Sequence, residues 1–280
     1  MITHFIPTVW SETLLRSLDK KYVGVANCNR EYEGEIKEKG NAVRICSFYP
    51  VTVMNYSKTE KLNGAQELTD MVCELKIDQA KYFNFMIDDI DRVQSTPRLM
   101  ELAMQNAANA LVNAADKHIF SMFNQAGVEI ESNLPTADTV MDMFFQARTA
   151  LMKSGVSDPD DMVYEITPEV SELLLRSAIQ LSTDNNDSLK QGCIGRILGS
   201  EVFVSNNVQI DVTPSATTHH CFARSKRAIA FAEQVSEIDA YRPEVRFADA
   251  VKGLHLYGAK AIYPNELVHM KFLFPGVPED

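Results

Sequence analysis

The stretch from Leu75 to Asn124 constrains the fold more than any other, because an alternating strand, an acidic break and one long helix follow in direct succession. Leu75, Ile77, Phe83, Phe85 and Ile87 fall on one face, and Lys76, Asp78, Ala80, Tyr82 and Asn84 on the other, with Gln79 and Lys81 as exceptions. A period of two predicts a half-buried strand. Asp88, Asp89 and Asp91 stop it, and Pro97 can open a helix because its missing N–H is not needed in the first turn. Neither Gly nor Pro then interrupts the chain until Gly127. Met100, Met104, Ala107, Leu111, Ala115, Ile119 and Met122 recur at helical spacing, while Glu101, Gln105, Asn109 and Asn113 share another face. A helix over 97–124 is about 40 Å long. A rod of that length, fed by an extended strand, suits a chain that builds something large.

The 280 residues suffice for one large or two ordinary domains. With 45% hydrophobic and 23% charged residues, the balance is that of a folded globular protein rather than a disordered one. The formal charge of −11 argues against a sequence-specific DNA binder. Cys28, Cys46, Cys73, Cys193 and Cys221 are odd in number and widely spaced, without a C-x-x-C pair, and read as reduced thiols in a protein made in a cytosol. No basic-then-apolar N-terminal segment marks a secretory signal. No run approaches the roughly 18 to 20 apolar residues of a membrane helix.

Around the central stretch, Gly34, Gly40 and Gly64 punctuate short β-type runs at Val43–Cys46, Val51–Val53 and Val72–Ile77, with a polar tip near Asn55 to Glu67. A hairpin this poor in apolar residues is marginal alone and must lie on its own domain or on a neighbour. A loop to Pro135 follows the long helix. Thr136 then caps a helix from Ala137 to about Lys153 that Gly155 ends. A polar turn at Ser157–Asp161 precedes a strand at Met162–Ile166. Thr167-Pro168-Glu169 starts another helix with Val170, Leu173, Leu174, Ala178 and Leu181 inward. After the polar loop Thr183–Gly192 comes a strand at Glu201–Ser205, so this part reads as α/β. From His220 on, strands are expected at Ala228–Phe231, Val245–Phe247, Gly253–Tyr263 and Leu267–Phe272, folding back under the long helix.

Catalytic and metal signatures are weak. His219 and His220, beside Cys221, point to opposite faces if extended and so do not share one ion. Asp88, Asp89 and Asp91 suit a helix N-terminus. Asp158, Asp160 and Asp161 lack the Gly and terminal Glu of a calcium loop. Gly192, Gly195 and Gly199 lack the Gly-Lys-Ser/Thr of a phosphate loop. No G-x-S-x-G elbow is present. The expectation is no catalytic residue, no cofactor and no metal. Arg224, Lys226 and Arg227 form the one basic knot, read as an inter-subunit salt bridge in preference to a DNA contact.

Four segments together resemble the tailed-bacteriophage major capsid proteins, whose shell fold encapsulin nanocompartments share. These are Phe5-Ile6-Pro7-Thr8-Val9-Trp10 with Leu14-Leu15, Tyr32-Glu33-Gly34-Glu35-Ile36, Ile77 through Phe85, and Gly199 through Asn207. The resemblance runs over nearly the whole chain and rests on order and texture rather than on a catalytic fingerprint. It implies an α+β capsid fold with an N-terminal arm (1–30), an extended β-hairpin loop (31–76) and a peripheral domain (77–135) with its spine helix at 97–124. An α/β axial domain (136–219) and return strands completing the peripheral domain (220–280) follow. The bland reading of Ser11 to Leu18 is a small capping helix on the domain's own core. Under the resemblance it is part of an arm over neighbouring subunits, and the hairpin lies across an adjacent subunit.

The inter-subunit contact candidates are Phe5 and Trp10 in the arm, Lys58 and Lys61 in the hairpin tip, Asp184 and Asn185 in the loop nearest the symmetry axis, and Arg224 and Arg227. Some relatives crosslink a Lys to an Asn. Lys58 and Lys61 sit where that Lys would be, but no partner Asn or carboxylate can be matched, so crosslinking is not expected. Implied partners are other copies of the chain in pentamers and hexamers, a scaffolding protein, a portal, a decoration protein and packaged double-stranded DNA by non-specific contact, with no membrane. The implied location is the virion capsid, assembled in the host bacterial cytoplasm. Because the chain opens at the arm without a helical leader, assembly is expected to use a separate scaffolding protein or none. The alternatives are an encapsulin-like shell and, more remotely, a small-molecule enzyme built on the α/β part.

Overall fold

A computed structural model describes residues 22–32, 42–48, 70–88, 99–177, 193–245 and 247–276. Its strands are β1 (Ala42–Phe48), β2 (Asp70–Lys76), β3 (Gln79–Asp88), β4 (Val128–Asn133), β5 (Met162–Ile166), β6 (Cys193–Ile197), β7 (Ser200–Val204), β8 (Ile210–Val212), β9 (Ala216–Ser225), β10 (Ile229–Tyr241), β11 (Ala248–Ala261) and β12 (Leu267–Pro275). The helices are α1 (Leu99–Phe120), α2 (Val140–Lys153) and α3 (Pro168–Arg176). β1 and β2 pair antiparallel. A three-stranded sheet has the order β10-β11-β3, and a seven-stranded sheet runs β4-β12-β9-β5-β7-β6 with β8 beside β9.

The expected strand from Leu75 is two strands. Its alternation of burial persists, but β2 pairs with β1 and β3 pairs with β11. At the changeover the backbone presses on Gly258 of β11, where a Cβ would lie 2.0 Å from the Lys76 carbonyl oxygen. Gly258→Ala is therefore expected to cost about 3 kcal/mol through overpacking, read as a lower urea midpoint at unchanged m-value. The base of the hairpin rests on its own subunit, with Val43, Ile45 and Leu75 packed against Ala230 and Ala232 of β10.

The long helix ends as an α-helix at Phe120, and Ser121–Gln125 continue it as a 3-10 turn. Its buried stripe includes Ala108, Leu111, Val112, Ala115 and Ile119, so small residues let the helix lie close to the sheets. Phe120 meets Phe222 of β9 at 5.9 Å. On the opposite face of the same sheet, Phe144 of α2 meets Tyr164 of β5 edge-on at 5.0 Å. One apolar core thus joins α1, both larger sheets and α2. The turn from Thr136 precedes α2, and Gly155 at φ +97° follows it in the left-handed conformation that glycine favours.

Four expectations are corrected. Residues 128–133 form β4 rather than loop, because Val128, Ile130 and Ser132 alternate with Glu129, Glu131 and Asn133 and the strand pairs parallel with β12. Short β6 and β8 and the ten-residue β9 are strands where none is expected, since the first return strand is expected only at Ala228. Val245 and Phe247 lie in the β10–β11 connection, after Pro243, instead of in a strand. The strands after 220 do not all complete one peripheral unit. β10 and β11 pair with β3, whereas β9 and β12 lie in the seven-stranded sheet, β9 beside β5 of the α/β part.

Candidate functional site

Two features of the described residues bear on function: a polar root beneath the N-terminal arm, and an exposed apolar sheet face.

The root is the segment Tyr22 to Arg30. Asp116 of α1 accepts the backbone N–H groups of Val23 at 3.1 Å and Val25 at 3.0 Å. Burial pushes this carboxyl up to about 6, against the pull of those two N–H donors. Arg224 of β9 donates to both oxygens of Glu165 at 2.8 Å, to the Asn27 carbonyl at 2.7 Å and to the Gly24 carbonyl at 2.8 Å. Glu233 of β10 receives Tyr22 Oη at 2.7 Å, Arg30 at 2.5 Å and His255 Nε2 at 3.0 Å. Burial pushes the Glu233 carboxyl up, but these partners outweigh it and hold it below its ordinary value. Asn29 also exchanges backbone hydrogen bonds with Ile229 and Phe231. The root is thereby stitched to the long helix and to both larger sheets.

The exposed face belongs to β10-β11-β3. Phe83, Phe85 and Ile87 turn inward, and Tyr82 (78% exposed) and Met86 point out. Tyr241 hydrogen-bonds Asn84 at 3.1 Å, and Lys252 lies 3.4 Å from Asp239 and over the Tyr241 ring. Tyr82, Asn84, Lys252 and Leu254 border a depression of about 230 Å³. At the end of the same hairpin, Val245 and Phe247 are 92% and 81% exposed. Exposed aromatic and apolar side chains gathered on one sheet face and its turn are the mark of a contact surface. The sequence carried one signal for it, Tyr82 on the polar face of an otherwise clean alternation. Tyr241, Val245 and Phe247 carry none, since Tyr241 falls between the expected strands and the other two read as ordinary strand residues.

Of the expected contact residues, Phe5, Trp10, Lys58, Lys61, Asp184 and Asn185 lie outside the described residues, as do Asp89, Asp91 and Gly192. Arg224 is corrected. Its side chain is 0% exposed and spent on Glu165 and the arm root within its own subunit, so it is not a contact between subunits. Arg227 is more than half exposed, pairs with Glu266 at 2.6 Å and stacks over Tyr263. The basic knot is thus divided, because Arg224 and Arg227 go to different carboxylates. His219 and His220 face opposite sides of β9, the first toward Thr167 and the second toward His269. Asp158 accepts the Asp160 N–H at 3.0 Å and caps the turn it belongs to. Leu198 and Gly199, both at positive φ, make the two-residue turn between β6 and β7.

Neither a protein-family profile nor a curated protein matches the chain. Among solved structures, a chain of Mycobacterium phage Che8 is similar at 30% identity over 89% of this chain and 91% of that one, with a TM-score of 0.70. The chain belongs to the tailed-phage major capsid protein family. The capsid of Ralstonia phage GP4 is similar in fold, at 12% identity over 90% and 87% of the two chains and a TM-score of 0.68. So is a virus-like particle from Pyrococcus furiosus, at 12% identity over 95% and 99% and a TM-score of 0.56. As a major capsid protein the chain assembles with its own copies into the icosahedral shell of the virion and encloses the phage genome. The α+β architecture is that of the capsid fold. No helix among the described residues is long and apolar enough to cross a membrane.

Proposed function

We propose that the outer face of β10-β11-β3 is the seat on which the hairpin of a neighbouring copy lies, and that the arm extends from a fixed root over further copies. The observation that carries this reading is the exposure of Tyr82, Met86, Val245 and Phe247 on one sheet and its turn. Heterologous contacts of this kind close into rings of five and six. Weak contacts repeated over many linked subunits then hold the shell. Arg227, with Lys58, Lys61, Asp184, Asn185, Phe5 and Trp10, supplies further contacts between copies.

The same reading gives the shell no catalytic step, a scaffolding protein and a portal as assembly partners, and decoration proteins on its outside. DNA contact is non-specific, in keeping with the charge of −11. Assembly takes place in the cytoplasm of the bacterial host. The nanocompartment alternative has the Pyrococcus particle in its favour, but that likeness is one of fold at 12% identity, against 30% for the phage chain.

Electron microscopy of purified protein, alone and with a scaffolding protein, tests the proposal. Closed shells or rings of five or six are expected from the full chain. Deleting residues 55–67 should leave a folded subunit that no longer closes shells, and normal particles from that deletion would remove the hairpin from the mechanism.

A further inference from the structure

A polar row crosses four strands of the seven-stranded sheet and takes no part in the contacts above. Asp211 of β8 lies 3.0 Å from His220 Nε2, His220 Nδ1 lies 2.9 Å from His269 Nε2, and His269 Nδ1 lies 3.6 Å from Glu129 Oε2 of β4. Both rings are buried, at 4% and 1% exposure, while the two carboxylates are about half exposed. Phe123, from the 3-10 turn that continues α1, covers the pair, stacked on His220 at 4.1 Å and tilted over His269 at 5.0 Å.

Counting hydrogens defines what the row can do. Two neutral imidazoles carry two ring hydrogens between them, and the row has three junctions to fill. At least one junction therefore faces acceptor to acceptor. The 3.6 Å spacing locates that shortfall between His269 Nδ1 and Glu129, since the other two junctions are at full hydrogen-bond distance. One added proton fills all three. A second would set N–H against N–H across the 2.9 Å gap.

We infer that Asp211, His220, His269 and Glu129 form a one-proton acid sensor that couples acidification to the seating of edge strand β4 and of the end of the long helix on the sheet. The added proton sits on His269 Nδ1 and draws Glu129 inward over the pair beneath Phe123. Every charged group facing the rings bears on the titration. Glu129 favours the proton on His269, and Lys271 on β12, which bonds the other Glu129 oxygen, opposes it, while Asp211 lies against His220 at the far end of the row. Gln209 donates to Asp211, and the 3-10 turn offers only Phe123. His219 lies on the far side of β9 with Glu169. Burial, first, and the neighbouring His220 and Lys271 push His269 down to about 4. A depressed histidine contributes stability above its unfolded value of 6.5, and that contribution is lost as pH falls toward 4. Asp116, raised from 3.8 to about 6, works the other way: its contribution is present in acid and lost as pH rises through 6.

The test is a set of 15N-histidine spectra of the full chain from pH 7.5 to 4, in solution or, once assembled, under magic-angle spinning. Wild type should begin to take up one proton in the row below about pH 5 and reach about half occupancy near pH 4. Glu129→Gln should lower its proton affinity, and Lys271→Met should raise it, each by about threefold or more. Both residues are partly exposed, so both variants are expected to fold. His269→Gln removes the sensor. Its folding equilibrium should fall about 100-fold less than that of wild type between pH 7 and pH 4. Equal shifts in the same direction from Glu129→Gln and Lys271→Met, two independent protons, or no uptake above pH 4 would each overturn the inference.

Discussion

Arg224→Met is expected to destabilise the subunit by about 3–5 kcal/mol, because it strands a charge in the interior. Glu165 and Arg224 are both fully buried and bound through two hydrogen bonds. With the guanidinium gone, Glu165 keeps, among the described residues, the weaker donation from Asn27 Nδ2 at 3.2 Å. The carbonyls of Gly24 and Asn27 lose their donor as well, so the arm root loosens along with the sheet. A double variant, Arg224→Met with Glu165→Leu, removes both charges and should recover part of the loss, since a buried ion pair contributes little against apolar groups of similar size. Urea unfolding of the unassembled subunit reads both. A cost below about 1 kcal/mol for the single variant would mean that water reaches Glu165 and that the pair does not hold the root.

The second large effect is on assembly rather than on folding. Tyr82→Asp combined with Met86→Lys should leave the melting temperature within a degree or two of wild type, since both side chains point away from the core. The same change should abolish closed shells. It sets a charge at each of two positions on the seat for a neighbour's hairpin, and losing a central aromatic anchor typically costs about 2 kcal/mol or more per contact. Every subunit repeats that loss, so a modest change in each pair becomes failure of the particle. Sedimentation and electron microscopy of the variant give the answer. Particles of normal size and yield would show that this face stays free in the shell, and the seat would have to be sought elsewhere on the subunit.

How far the fold could be read in advance varied with the range of the interaction. The alternation through Phe83, Phe85 and Ile87 and the apolar stripe of α1 are local patterns, and both are present, although the strand expected from Leu75 is divided between β2 and β3. The helix end differed because Ser121–Gln125 wind more tightly, which a spacing of three or four cannot distinguish from α-helix. β4 was legible in retrospect as six alternating residues, but so short a run is stable only beside β12, more than a hundred residues away. Arg224 departs from its expected role for a related reason. A cluster of basic residues suggests an exposed patch, and nothing near it announces a carboxylate 59 residues earlier waiting in the interior.

The α+β class, the rod-like helix, the hairpin ahead of it and, through four segments of texture, the resemblance to capsid proteins are all legible in the linear chain. These follow from burial patterns that repeat within a few residues and so survive in a linear string. Tertiary structure alone decided which strands share a sheet, that β9 and β12 join the α/β part, and that Asp116, Arg224 and Glu233 bind the arm root. It also decided that Asp211, His220, His269 and Glu129 meet in one row. Each of those pairings joins residues whose partners are set by how the whole chain closes, and hydrogen-bond and charge complementarity across such distances leaves no periodic mark along the chain.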